Sequence, residues 1–199
     1  MKSITREEIA AYDLEQFNGR ISVIDTEAKA EHAVAYLSKF NSLGFDTETR
    51  PTFKKGNLNN LALVQLAIDN RCYLFRINKI GFSPPLIRLL SDANILKIGL
   101  SLKDDFNTMS RRLQFTPQGF VDLQSIVAKY DIADMGLQKI YAILFQKRIS
   151  KSQQLSNWEA DVLSSAQKKY AALDAWACLK IYKKLCRTNL HQKTPILLK

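Results

Sequence analysis

Asp46-Thr47-Glu48 follows the apolar run Leu43-Gly44-Phe45, and the two-residue period of an extended strand sends Asp46 and Glu48 to the same face. Two anions held together repel unless something neutralises them. An oxygen-only pair suits a hard cation such as Mg²⁺ or Mn²⁺ rather than a soft metal. A polar strand exit, with Asp46 accepting loop N–H groups, accounts for the same pair on its own. A second group of acids, Asp104-Asp105, ends the stretch Ile98-Gly99-Leu100-Ser101-Leu102-Lys103, where an apolar strand turns into a helix. Acids there sit at the carboxyl end of a strand, where the sites of open α/β sheets gather, and they equally suit a helix start favoured by the macrodipole. The third is Asp174, four residues after Tyr170 in AQKKYAALDAWACLKIYKKL, so both lie on one helix face. Asp is a poor interior helix former, and Ala171, Ala172, Ala175 and Ala177 around it allow close approach to another element. A core tyrosine beside a solvated aspartate is the plainer alternative.

These acids need strands and helices to hold them. Ile21 to Ile24 reads as a short strand, with Asp25 and Thr26 as capping choices for a helix over AKAEHAVAYLSKF. LALVQLAI at 61–68 is too apolar for a solvated edge, and CYLFRI at 72–77 pairs with it as a hairpin across Asp69-Asn70-Arg71. A helix over about 84–91, opened by a proline pair, leads to the strand ILKIGL at 95–100 and then a helix to Arg112. Gly119-Phe120-Val121 forms a last strand, Asp122 a helix start, and the chain from there to about residue 186 reads as mostly helical. The fold class is α/β: a mixed sheet flanked by helices.

With 199 residues, 46% of them hydrophobic, the chain supports one sizeable core. No repeat, low-complexity tract or linker divides it. We expect a lead-in over 1–19, a domain over 20–190 and a tail over 191–199. The 29 Lys and Arg against 19 Asp and Glu leave a charge of +10, which favours a polyanionic partner, nucleic acid first among them. Cys72, Cys178 and Cys186 have neither disulfide-framework nor zinc-knuckle spacing, which fits a reducing compartment. No run approaches the ~18 apolar residues of a membrane span. We therefore expect a soluble intracellular protein, cytoplasmic if bacterial, with the nucleus an option if eukaryotic.

Taken in order and with these gaps, FDTET, IGLSLKDDFNTM and YAALDAWA resemble the motifs of the DnaQ-like 3′-5′ exonucleases of the DEDDy branch, of the Werner syndrome exonuclease and RNase D nuclease-domain type. GNLNNLALVQLAI, FVDLQSIVAKY and LSNWEADVLSSAQKKYAALDA are similar to the Werner-type pattern too, so the resemblance spans roughly 20–186. It implies an RNase H-like mixed sheet of five to six strands. It also implies Asp46, Glu48, Asp105 and Asp174 as ligands of two divalent cations, with Tyr170 positioning the attacking water. Asp105 takes the second-motif place over Asp104 because it lies six residues after Gly99 and four before Met109, as the family's spacing does. The implied activity is stepwise removal of nucleoside 5′-monophosphates from a 3′ end by a two-metal mechanism, with DNA favoured over RNA.

Basic residues add candidate substrate contacts. Arg50, Phe53, Lys54 and Lys55 directly follow the first motif, where cations meet phosphates and Phe53 could stack on a base. Lys147, Arg148 and Lys151 form a second cluster before Trp158, itself expected to pack in the core. A solvated basic loop is the plainer reading of the first cluster. His32 and His191 are incidental, and a histidine is absent from the place of Tyr170. An aspartyl-phosphate phosphatase would need a second Asp where Glu48 stands. A catalytically silent nucleic-acid-binding module would be expected to have lost one of the four acids.

Overall fold

Alternating apolar segments of period two and period 3.6 close into a six-stranded mixed sheet with helices on both faces. The structure is a computed structural model that describes residues 1–51, 60–110 and 115–190. In chain order it contains α1 (Arg6–Ala10), β1 (Arg20–Ile24), α2 (Glu27–Leu37), β2 (Ser42–Thr49), β3 (Leu61–Ile68), β4 (Arg71–Arg76), α3 (Ile77–Ile80) and α4 (Pro84–Ser91). There follow β5 (Leu96–Gly99), α5 (Leu102–Ser110), β6 (Phe120–Asp122), α6 (Gln124–Val127), a 3₁₀ turn over Ala128–Tyr130, α7 (Leu137–Phe145) and α8 (Ser165–Leu190).

The strand order is β1-β4-β3-β2-β5-β6. β2, β3 and β4 run antiparallel, while β1 joins β4, and β5 and β6 extend from β2, in parallel. β3, as expected of a central strand, is buried along its whole length. α8 covers one face, over a core that includes Leu63, Leu74, Trp158, Ala171, Ala172 and Ala175. α2, α4 and α5 contribute to the core on the other face with Phe45, Phe75, Leu86 and Leu102.

α8 packs on β2 so closely that a Cβ on Gly44 would fall 1.9 Å from the carbonyl oxygen of Ala175. Only glycine on the strand permits that approach to the helix backbone, and it brings Asp174 down beside Asp46. Thr26 caps α2 with its side chain, while Asp25 pairs with Lys29 at 2.7 Å.

One expectation changes. Residues 146–164, read as helical, hold no helix. Side chains capture their carbonyls instead: Gln138 donates to Ile149, Arg76 to Ala160 and Asp161, Asn78 to Glu159 and Gln167 to Asn157. Asp122 ends β6 two residues before α6, and its carboxylate accepts from the N–H of Gln124, the first residue of that helix, as well as from the Ser101 and Leu102 N–H groups. The first nineteen residues contain α1, opened by a capping box between Thr5 and Glu8. Glu15 is buried, accepting from the Tyr141 hydroxyl and from Lys180 at 3.1 Å. Among the described residues no helix is long and apolar enough to cross a membrane.

Candidate active site

The pairing of β2 explains why its acids face open space. β5 pairs with it only from Ser42 to Gly44, so Asp46, Thr47 and Glu48 extend beyond their parallel neighbour. Across β2 the antiparallel partner β3 continues, with Asp46 opposite Gln65 and Glu48 opposite Leu63. Period two sends Asp46 and Glu48 to the α8 face, where Asp174 meets them. One carboxylate oxygen from each of Asp46, Glu48 and Asp174 lies within 4.8 Å of the others.

Burial combines with mutual repulsion in this cluster. Asp46 is pushed well above the ordinary carboxylate range, by desolvation first and then by Asp174 and Asp105. Glu48 is pushed up to about 10 by desolvation and by Asp46, Asp174 and Asp105. Desolvation raises Asp174 to about 7, against the opposing pull of the Tyr170 hydroxyl and the positive charge of Lys151. Tyr170 is held firmly protonated, by desolvation and then by the charges of Asp174 and Glu48. Its ring packs on Trp158 with centroids 6.0 Å apart.

Asp105 approaches from the opposite sheet face. Thr47 alternates to that face, and its hydroxyl donates to the Asp105 carboxylate. Desolvation raises Asp105 to about 6, while the Thr47 bond lowers it. The β5–α5 junction that aims it contains Ser101 at a positive φ of 60°, a conformation held by the Asp122 carboxylate bonds to the Ser101 and Leu102 N–H groups. Asp104 is exposed and faces the cavity on that side.

Two cavities share Thr47, Glu48 and Gln154 in their walls. One of about 300 Å³ holds Asp46, Asp174 and Tyr170 together with Gln138, Ser150, Lys151 and Cys178. The other, about 360 Å³, holds Asp105 with Thr49, Pro51 and Leu155. Of the basic residues expected at substrate, Lys151 lines the first cavity. Arg50 pairs with Glu159 at 3.3 Å. Lys147 and Arg148 turn instead to the N-terminal segment: Lys147 is 3.9 Å from Glu15, and Arg148 donates to the Tyr12 carbonyl. Phe53, Lys54 and Lys55 lie outside the described residues. The sequence reading passed over Thr47, Gln138, Ser150 and Gln154. Only the position of Thr47 between two acids singled it out; Gln138 lies on α7 with nothing local to mark it, and Ser150 and Gln154 come from the segment read as helical.

The donor set fits a hard divalent cation: oxygen ligands only, three carboxylates converging, and one buried Asp174 oxygen, Oδ1, without a hydrogen-bond partner among the described residues.

A 3′-5′ exonuclease family profile matches residues 21–188. The chain is similar to the mouse bifunctional 3′-5′ exonuclease/ATP-dependent helicase WRN (Mus musculus), 32% identical over 155 residues that cover 75% of this chain and 11% of that protein. It is also similar to a 3′-5′ exonuclease of Arabidopsis thaliana, 31% identical over 171 residues, 83% of this chain and 57% of that one. The chain thus spans little more than half, or far less, of these relatives. Its fold is that of the Aedes aegypti Nibbler EXO domain (TM-score 0.79, 22% identity, 92% of this chain and 94% of that one). Escherichia coli RNase D shares it as well (TM-score 0.76, 24% identity, 88% and 47%). These neighbours make the six-stranded sheet RNase H-like.

Proposed function

Because this chain belongs to the 3′-5′ exonuclease family, we propose that it removes nucleotides one at a time from the 3′ end of a nucleic acid, DNA in preference to RNA, releasing nucleoside 5′-monophosphates. The observation that carries this reading is the convergence of oxygens from Asp46, Glu48 and Asp174 within 4.8 Å, a set of carboxyls that repel one another. Asp46, Glu48 and Asp174, with Asp105 on the neighbouring wall, are the residues that would hold two Mg²⁺ or Mn²⁺ ions. When bound, such cations supply Lewis-acid polarisation of the scissile phosphate and acidify the attacking water.

The chain's own groups do the rest. Tyr170, kept protonated, orients the water through its hydroxyl and does not act as a base. Lys151 brings a positive charge into the same cavity and meets a phosphate of the substrate. Arg50 and the following Phe53, Lys54 and Lys55 extend the contact along the strand. Lys147 and Arg148 add to the general positive field. Thr47 fixes Asp105 by its hydrogen bond. The preference for DNA rests on the resemblance of the motif surroundings to the Werner-type pattern, while the Escherichia coli neighbour is an exoribonuclease.

Digestion of 5′-labelled single-stranded and recessed-3′ DNA and RNA, with Mg²⁺, Mn²⁺ or EDTA, tests the reading. A metal-dependent ladder shortening from the 3′ end, lost in Asp46→Ala, is expected. Binding of oligonucleotides with no shortening of any would overturn it in favour of a silent binding module.

A further inference from the structure

Beneath the acidic cluster lie buried polar atoms that have no partner among the described residues. Gln65 is the one polar residue of β3, LALVQLAI, and it is fully buried with neither amide atom hydrogen-bonded. Trp158, also fully buried, has an unpaired indole N–H, and Asp174 has its unpaired Oδ1. These atoms belong to one face of the sheet. Gln65 stands opposite Asp46 on β2 and Leu74 on β4, and Trp158 packs in the core that includes Leu63, Leu74, Ala171 and Ala175.

Their chemistry is complementary: an amide NH₂ and an indole N–H can donate, while an amide oxygen and a carboxylate oxygen can accept. An amide left unpaired in a dry core is strongly unfavourable, and packing alone would be served by Leu or Met. The other large buried polar side chains do find partners: Arg76 reaches the carbonyls of Ala160 and Asp161, and Lys97 that of Asp92.

We infer that Gln65 is a positioning residue of the active site. Its amide N–H is linked to Asp174 Oδ1 through one shared water, and its amide oxygen to the Trp158 indole N–H in the same way. The inference rests on the proposed metal-binding role of Asp174. Holding the inner oxygen fixes the carboxylate rotamer that presents the outer oxygen to the pocket, as the hydrogen-bonded neighbours of ligating carboxylates do. Trp158 belongs to the segment that also carries Ser150, Lys151 and Gln154 of the cavity wall. The link therefore ties the substrate-facing wall to a cation-holding carboxylate.

Gln65→Met tests this in the full chain, because Met keeps the length of Gln and removes only its polar atoms. Three readouts apply: Mn²⁺ affinity of the EDTA-stripped protein by calorimetry, steady-state kinetics on a labelled oligonucleotide, and exchange of the Trp158 indole proton by NMR, assigned with Trp158→Phe. The expected result is an affinity loss of ~10-fold, a comparable fall in kcat with KM unchanged, and faster indole exchange. A purely structural Gln65 gives unchanged affinity, kcat and exchange with an equal or higher Tm, and that result overturns the assignment. Gln65→Leu serves if the methionine variant does not fold. A wild-type chain that binds no Mn²⁺ removes both the metal reading and this inference. One that binds Mn²⁺ without cutting removes only the exonuclease reading, and the affinity ratio still decides the role of Gln65.

Discussion

Asp174→Asn should stabilise the metal-free protein while abolishing its activity. Desolvation raises the Asp174 carboxyl from 3.8 to about 7, and it is only 7% exposed. At about 1.4 kcal/mol per pH unit, its ionised form weighs on the folded chain at pH 8 by up to ~4 kcal/mol. Asp46 and Glu48 share the same repulsion, so we assign about half of this, ~2 kcal/mol, to Asp174 alone. For a chain of this size ~2 kcal/mol corresponds to ~4–8 °C in Tm. The sign follows from a folded-state value raised above the unfolded one. The penalty is fully present above about 7 and is progressively relieved as pH falls toward the ordinary carboxylate value. The gap between variant and wild type should therefore shrink by more than half at pH 5. Saturating Mn²⁺ at ~100 times its Kd should restore ~3 kcal/mol to the wild type and much less to the variant. Thermal unfolding at pH 5 and 8, with EDTA or Mn²⁺, measures all of this. A variant less stable than wild type at pH 8, or a gap independent of pH, would show that the carboxylates are not electrostatically frustrated and refute the reasoning.

Gly44→Ala places a Cβ 1.9 Å from the Ala175 carbonyl oxygen. It should lower stability by ~3 kcal/mol in urea titration and reduce Mn²⁺ affinity, because α8 must lift Asp174 away from β2. Thr47→Val removes the hydrogen bond to Asp105; kcat should fall ~10-fold with KM nearly constant, while Thr47→Ser retains most activity in the same assay. Lys151→Met should raise KM for oligonucleotides several-fold and reduce the slope of log affinity against log salt by about one, as read by fluorescence anisotropy in EDTA.

Much of the site lies within the reach of local periodicity. Asp46 and Glu48 share a face because strands repeat every two residues, and Tyr170 and Asp174 because helices return after four. The apolar run 61–68 did become the buried β3, and the proline pair did open α4. Where the chain had no period to read, only the fold decided. Residues 146–164 resemble a continuation of their helical neighbours, yet Arg76, distant in sequence, and Gln138 on the preceding helix hold their carbonyls instead. Lys147, Arg148 and Lys151 are one cluster in sequence. In space the first two turn to the N-terminal segment, while Lys151 enters the cavity. Asp105 reaches the acids from the opposite sheet face, through Thr47, because β5 stops pairing at Gly44 and leaves β2 exposed there. The sequence by itself determined which side chains share a strand or helix face, because that follows from covalent geometry over a few residues. Which faces meet, and how closely, was decided by packing: Gly44 against Ala175 brings Asp174 down onto β2, a contact between residues whose separation along the chain carries no periodic signal.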